Sequence, residues 1–196
     1  QFLAGVVTGI TLTNPGFGYL AGDTLTVTIS DATGINATSN GEGAAVSVTN
    51  SGDISADGIF GASGIAATSG GLGGTASVDN SGAIAVSQNQ KYGYGAYGVV
   101  VSADGDGSIT NSGSIEVYSG GVASGATALS FAGNASVTNS GDIDVENGAL
   151  LYYNATGIVA FAGNGDAMVD NSGDINAISQ YWATGIDARA FGDVTV

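Results

Sequence analysis

Apolar and polar residues alternate with period two along most of the chain, in short runs broken by Gly, Ser and Asn. In one set of runs Ile54, Ile84, Ile115, Ile143 and Ile175 are followed two places on by Ala56, Val86, Val117, Val145 and Ala177. The residues between them are Ser55, Ala85, Glu116, Asp144 and Asn176. Successive side chains of a strand point to opposite faces, so the first two columns are read as inward and the third as facing water. A second set places Ile65, Val99, Leu129, Ile158 and Ile186 in one expected inward column, and Ala67, Val101, Phe131, Ala160 and Ala188 in the next. A third, shorter strand carries Val48, Val78, Ile109, Val137 and Val169. No segment sustains a 3.6-residue period, and Gly, Ser, Thr, Val, Asn and Asp, mediocre or poor helix formers, occur in all of them. The pattern predicts an all-β chain.

The runs repeat. Asn-Ser-Gly-x-Ile starts at Asn50, Asn80, Asn111, Asn139 and Asn171, at intervals of 30, 31, 28 and 32 residues. Ala-x-Gly-Ile, or a variant of it, is read at Ala62, Ala96, Ala126, Ala155 and Ala183, alternating with the first motif. A unit of this size cannot bury its apolar face alone, whereas stacked units share one continuous core. The expected architecture is a parallel β-helix, a β-solenoid of about five coils of 28–34 residues, with adjacent strands ~4.8 Å apart. Small inward residues suit a narrow interior, and Gly is expected to supply positive φ at the corners. Asn50, Asn80, Asn111, Asn139 and Asn171 fall at such a corner, where stacked amides form a structural ladder.

The first 40 residues lack the Asn-Ser-Gly motif. Val6–Thr13 and Thr24–Ile29 read as strands around an Asn14-Pro15-Gly16-Phe17-Gly18 turn. The expected division is residues 1–40 as an N-terminal β cap or subunit-joining segment and residues 41–196 as solenoid repeats. The last residues, Phe191 to Val196, begin the strand that elsewhere precedes Asn-Ser-Gly. An open parallel edge there is a template for further pairing, by more repeats or by another copy.

Composition narrows the functions. With 17 acidic residues against Lys91 and Arg189, the formal net charge is −15, which repels nucleic-acid backbones. Without Cys there is no disulfide or thiolate metal site, and without His no Ser-His-Asp chemistry. No apolar run is long enough for a membrane-spanning helix. Asp104-Gly105-Asp106-Gly107 and the Asp142/Asp144 pair offer a weak Ca²⁺ signal, against the plainer reading of Asp in turns. No other cofactor is indicated. A polysaccharide-cleaving site would combine clustered carboxylates with a cation to hold an anionic substrate, and the two cations lie about three coils apart. The chain is therefore read as non-enzymatic.

Tyr92, Tyr94, Tyr97, Tyr118, Tyr152, Tyr153, Tyr181 and Trp182 fall in or beside the variable segments between the two motifs. Stacking in register is expected to line them along one edge. Such a ridge either shields the corner or contacts a protein or glycan.

The alternation of Asn-Ser-Gly-x-Ile with Ala-x-Gly-Ile, over about residues 44–196, resembles the passenger repeats of Gram-negative autotransporter adhesins. That resemblance implies a right-handed parallel β-helix displayed outside the cell, many of whose relatives mediate attachment or aggregation. The stretch VTGITLTNPGFGYLAGDTLTVTI looks more like strand-rich modules of phage and bacterial fibre proteins. The expected function is an extracellular structural or adhesive scaffold on a bacterial surface. Its partners would be a cell-surface protein, a glycan or further copies of itself. The alternatives are a filament subunit joined head to tail, and a polysaccharide-binding or polysaccharide-cleaving β-helix.

Overall fold

A computed structural model describes residues 2–3, 6–7, 31–90, 93–148 and 153–196. The described residues are all strand, turn and bend, with no helix. Each coil contributes three strands to three parallel sheets, giving a β-solenoid of about five coils. The long face stacks Asp31–Ser39, Gly61–Ser69, Gly95–Ala103, Ala123–Ser130, Asn154–Ala162 and Trp182–Ala190. The short face stacks Ala45–Asn50, Thr75–Asn80, Gly107–Asn111, Ala135–Asn139, Ala167–Asn171 and Val194–Thr195. The middle face stacks Ile54–Gly58, Ile84–Gln88, Ile115–Ser119, Ile143–Asn147 and Ile175–Ser179. Phe2–Leu3 and Val6–Val7 form a separate antiparallel pair. The predicted turn at Asn14–Gly18 and the strand Thr24–Ile29 lie outside the described residues.

Register follows the motifs. Ile54, Ile84, Ile115, Ile143 and Ile175 are successive partners on the middle face. Val48, Val78, Ile109, Val137 and Val169 are successive partners on the short face. One apolar cluster runs the length of the stack, from Val46 through Ile84, Ile115 and Ile143 to Val169. Each coil closes the core for its neighbours, as expected of units that cannot bury an apolar face alone.

The long face departs from the expected columns in its third coil. The partner of Val99 and Ile158 there is Ala126, and the partner of Val101 and Ala160 is Ala128. Leu129 and Phe131, assigned inward from sequence, face out, and Phe131 is 56% exposed. The motif starts at Ala123, which pairs with Ala96 and Ala155, and not at Ala126. Ala recurs at both positions in this coil, and only the hydrogen-bonded register separates them. A further copy of the motif, Ala32-Thr33-Gly34-Ile35, lies in Asp31–Ser39, which pairs in register with Gly61–Ser69. Among the described residues, the first strand of the stack is thus Asp31–Ser39, within residues 1–40.

The role expected of the repeated glycines also changes. Among the described residues only Gly43, Gly73 and Gly95 have positive φ. The Asn-Ser-Gly glycines are required by close approach instead. A Cβ on Gly82, Gly113, Gly141 or Gly173 would overlap the glycine carbonyl of the preceding coil, well under 3.0 Å away. In the other motif, Gly64 and Ile65 are both buried, so the strict alternation of the long strand breaks there. A Cβ on Gly64 would collide with the Gly98 carbonyl and the Ile84 side chain.

Candidate functional site: the aromatic corner

The chain turns three times per coil, and each turn is held by polar groups that reach from one coil to the next. At the corner between the short and middle faces the five motif asparagines form one column. Asn50 Nδ2 donates to Asn80 Oδ1, Asn80 to Asn111, Asn111 to Asn139 and Asn139 to Asn171, each at 2.7 Å. Each Nδ2 also donates to the carbonyl oxygen of its own motif glycine, as Asn111 does to Gly113 at 2.7 Å. In the first four, both amide hydrogens are thereby used, in a column where Asn80, Asn111 and Asn139 are buried. The corner is a structural seam.

The corner between the middle and long faces carries the rings. Its connections are uneven, with Ile59–Phe60 and Gln180–Tyr181 the shortest. They are anchored from beneath by a second polar column, Gln88, Ser119, Asn147 and Ser179, which pair successively along the middle face. Gln88 Nε2 donates to the carbonyls of Ile59 (2.7 Å) and Gln90 (2.8 Å), tying one connection to the one below. Ser119 Oγ donates to Gln88 Oε1 at 3.0 Å and accepts from Gly121 N at 2.9 Å. Asn147 Nδ2 donates to the Gly121 carbonyl. Ser179 Oγ donates to the Tyr153 carbonyl at 3.0 Å and accepts from Tyr181 N at 3.1 Å. Gln88, Ser119 and Asn147 are buried, and no buried side-chain polar atom among the described residues lacks a partner. Satisfied polar groups of this kind fix a corner because leaving one unmade costs about 1–3 kcal/mol. Sequence reading missed this column. Its signal was a polar residue four places after four of the five motif isoleucines (Gly58 holds the place after Ile54), at inward parity, hidden because its identity changes from coil to coil.

On this support, Phe60, Tyr94, Tyr153, Tyr181 and Trp182 sit at the corner itself. Tyr94 is 82% exposed and Trp182 62% exposed, while Tyr153 is half-buried. Tyr94 N donates to the Phe60 carbonyl at 2.6 Å, so these two rings belong to directly stacked connections. The Tyr181 and Trp182 rings contact each other, with centroids 4.6 Å apart and planes tilted by 49°. Tyr118 and Tyr97 flank the corner. Tyr118 points outward from the middle face, its ring against Gly148 of the next coil, and Tyr97 is half-buried on the long face. Tyr92 and Tyr152, like Lys91, lie outside the described residues.

The aspartates considered as Ca²⁺ ligands are engaged in the fold. Asp104 Oδ2 accepts from Gly73 N (2.7 Å) and Asp106 Oδ1 from Asn134 N (2.8 Å). Asp142 Oδ1 accepts from Asp174 N (3.2 Å) and Asp144 Oδ1 from Asn176 Nδ2 (3.0 Å). Among the described residues no three Asp or Glu side chains converge as metal ligands would. No helix among them is long and apolar enough to cross a membrane.

Together these features define a parallel β-solenoid repeat protein whose middle-to-long corner carries tyrosines and a tryptophan. Compared with protein-family models, with curated proteins and with solved structures, the chain matches none of them.

Proposed function

We propose that this chain is a non-enzymatic structural and adhesive scaffold of a bacterial surface protein or fibre, working outside the cell. In this reading its aromatic corner meets a cell-surface protein or glycan. The observation that carries it is the exposure of Tyr94, on a connection that Gln88 ties to the stack, and of Trp182, at the strand start just after the Gln180–Tyr181 turn that Ser179 holds. Rings held rigidly lose little entropy on contact, and their flat faces with polar tips suit sugar rings and protein surfaces alike. The resemblance of the repeats to autotransporter adhesin passengers supports the same reading and its extracellular setting.

The test is adhesion of the full chain, coupled to beads, to a panel of immobilised glycans and to intact bacterial and eukaryotic cells. Attachment is expected for the native chain and is expected to fall at least fivefold in a Tyr94→Ser/Trp182→Ser double variant that melts at the native temperature. Equal attachment by the two proteins refutes the role of the corner, and no attachment above an unrelated acidic protein refutes adhesion. Incubation with neutral and acidic polysaccharides is expected to release no new reducing ends, and their release would establish a glycosidase or lyase instead.

A further inference from the structure

Three steps of the chain join Asn to Gly: Asn40 to Gly41, Asn147 to Gly148 and Asn164 to Gly165. Such a step is able to close on itself. The amide nitrogen of a glycine, with no Cβ beside it, reaches the preceding side-chain carbonyl carbon with little hindrance. The reaction needs that nitrogen free of a hydrogen bond and the side chain open to water, or else a local opening that supplies both. The fold treats the three steps differently.

Asn147 is 2% exposed, its Nδ2 donates to the Gly121 carbonyl, and Gly148 N donates to the Ser119 carbonyl at 2.9 Å. Asn40 is exposed, but Gly41 N donates to Ser39 Oγ at 3.4 Å. Asn164 is exposed, in the turn between Asn154–Ala162 and Ala167–Asn171. That turn is fixed on both sides. Gly163 N donates to the Ser130 carbonyl at 2.8 Å, and Asp166 N donates to Asn134 Oδ1 at 2.9 Å. Between them Gly165 N has no partner among the described residues, and Asn164 Nδ2 makes one long bond, to the Phe131 carbonyl at 3.2 Å. The ladder asparagines are followed by Ser, and the nitrogens of Ser81, Ser112, Ser140 and Ser172 all donate to the preceding coil.

We propose that the Asn164–Gly165 step is a self-modification site, at which Asn164 deamidates through a cyclic imide. Gly165 N gives its proton to a solvent base and attacks Asn164 Cγ. The N–Cγ bond forms, the Cγ–Nδ2 bond breaks, and Nδ2 takes a proton from water and leaves as ammonia. Water then adds to one of the two imide carbonyls. Opening at Cγ gives aspartate, and opening at the backbone carbonyl gives isoaspartate, whose main chain runs through the former side chain. Either product adds a carboxylate to the corner that already holds Asp106, Asp166 and Asp193.

In the test, the full chain is held in warm, mildly alkaline buffer and sampled over time. Samples are digested with pepsin in acid, and each site is followed by mass spectrometry with electron-transfer fragmentation, which separates aspartate from isoaspartate. Asn164 is expected to be lost faster than Asn40, and about tenfold or more faster than Asn147, which reacts only when its coil opens. In concentrated urea the three steps are expected to react within about threefold of one another, because the fold no longer separates them. Asn164→Gln, which closes only through a larger and slower-forming ring, is expected to remove the fast phase of ammonia release from the folded chain. Site mapping on the native chain decides the matter even if that variant does not fold. Loss of Asn40 or Asn147 as fast as Asn164, an undiminished lead of Asn164 in urea, or a fast ammonia phase that survives Asn164→Gln overturns the proposal.

Discussion

Replacing Asn111 by Ala tests whether the amide column stabilises the stack or merely decorates it. Asn111 is 1% exposed and takes part in three side-chain hydrogen bonds. It accepts from Asn80 and donates to Asn139 and to the Gly113 carbonyl, all at 2.7 Å. Removal strands one hydrogen of Asn80, the Asn139 oxygen and the Gly113 carbonyl inside a closed corner. Each unsatisfied group costs about 1–3 kcal/mol. A water entering the polar space left behind recovers part of that. The expected loss is about 3 kcal/mol. Asn50 makes the same two donations but is only half-buried. Bulk water replaces them there, and Asn50→Ala should cost about 1 kcal/mol. The difference of ~2 kcal/mol is roughly a thirtyfold change in the unfolding equilibrium. Urea unfolding followed by far-UV circular dichroism measures both variants. Because stacked repeats need not unfold in one step, amide hydrogen exchange should show the loss centred on the coils that contain Asn80, Asn111 and Asn139. Equal losses at the two positions, or an Asn111→Ala loss below about 0.5 kcal/mol, would refute the reasoning.

Gly113→Ala should destabilise by about 2 kcal/mol or more, since its Cβ lands on the Gly82 carbonyl and the coils must part to admit it; a native urea midpoint would show that the close approach is not needed. Ala128→Leu should cost about 1–3 kcal/mol by overpacking, and Phe131→Ser under about 0.5 kcal/mol as a surface change; the reverse order in thermal melts would return Phe131 to the core. In Asn111→Asp, burial raises the new carboxyl above its unfolded pKa of about 3.9, so the protonated form is favoured in the fold. Its stability relative to the native chain should therefore be best in acid and fall as pH rises through that value; a gain with rising pH in urea titrations would overturn the assignment. Calcium at millimolar concentration should leave the melting temperature unchanged, and a clear upward shift would point to a cation site on the turn aspartates.

The motif isoleucines and asparagines were legible as columns because identical residues recur at near-constant spacing, and a repeat that buries its face only by stacking must align them. The third coil was misread where Ala123 and Ala126 both fit the motif. The choice decides whether Leu129 and Phe131 face the core or solvent. The Gln88, Ser119, Asn147 and Ser179 column escaped notice because its chemistry is shared while its residue identity is not.

From the chain alone came the period, the all-β class, the apolar columns and the strongly acidic balance, all local or repetitive properties that need no partner strand to be read. Register, the close glycine-to-carbonyl approach that forbids a Cβ, and the hydrogen bonds that join Gln88 to Ile59 or Asn111 to Asn139 were decided by the fold. The reason is physical: each is a relation between residues about thirty positions apart, and it exists only once neighbouring coils lie against each other.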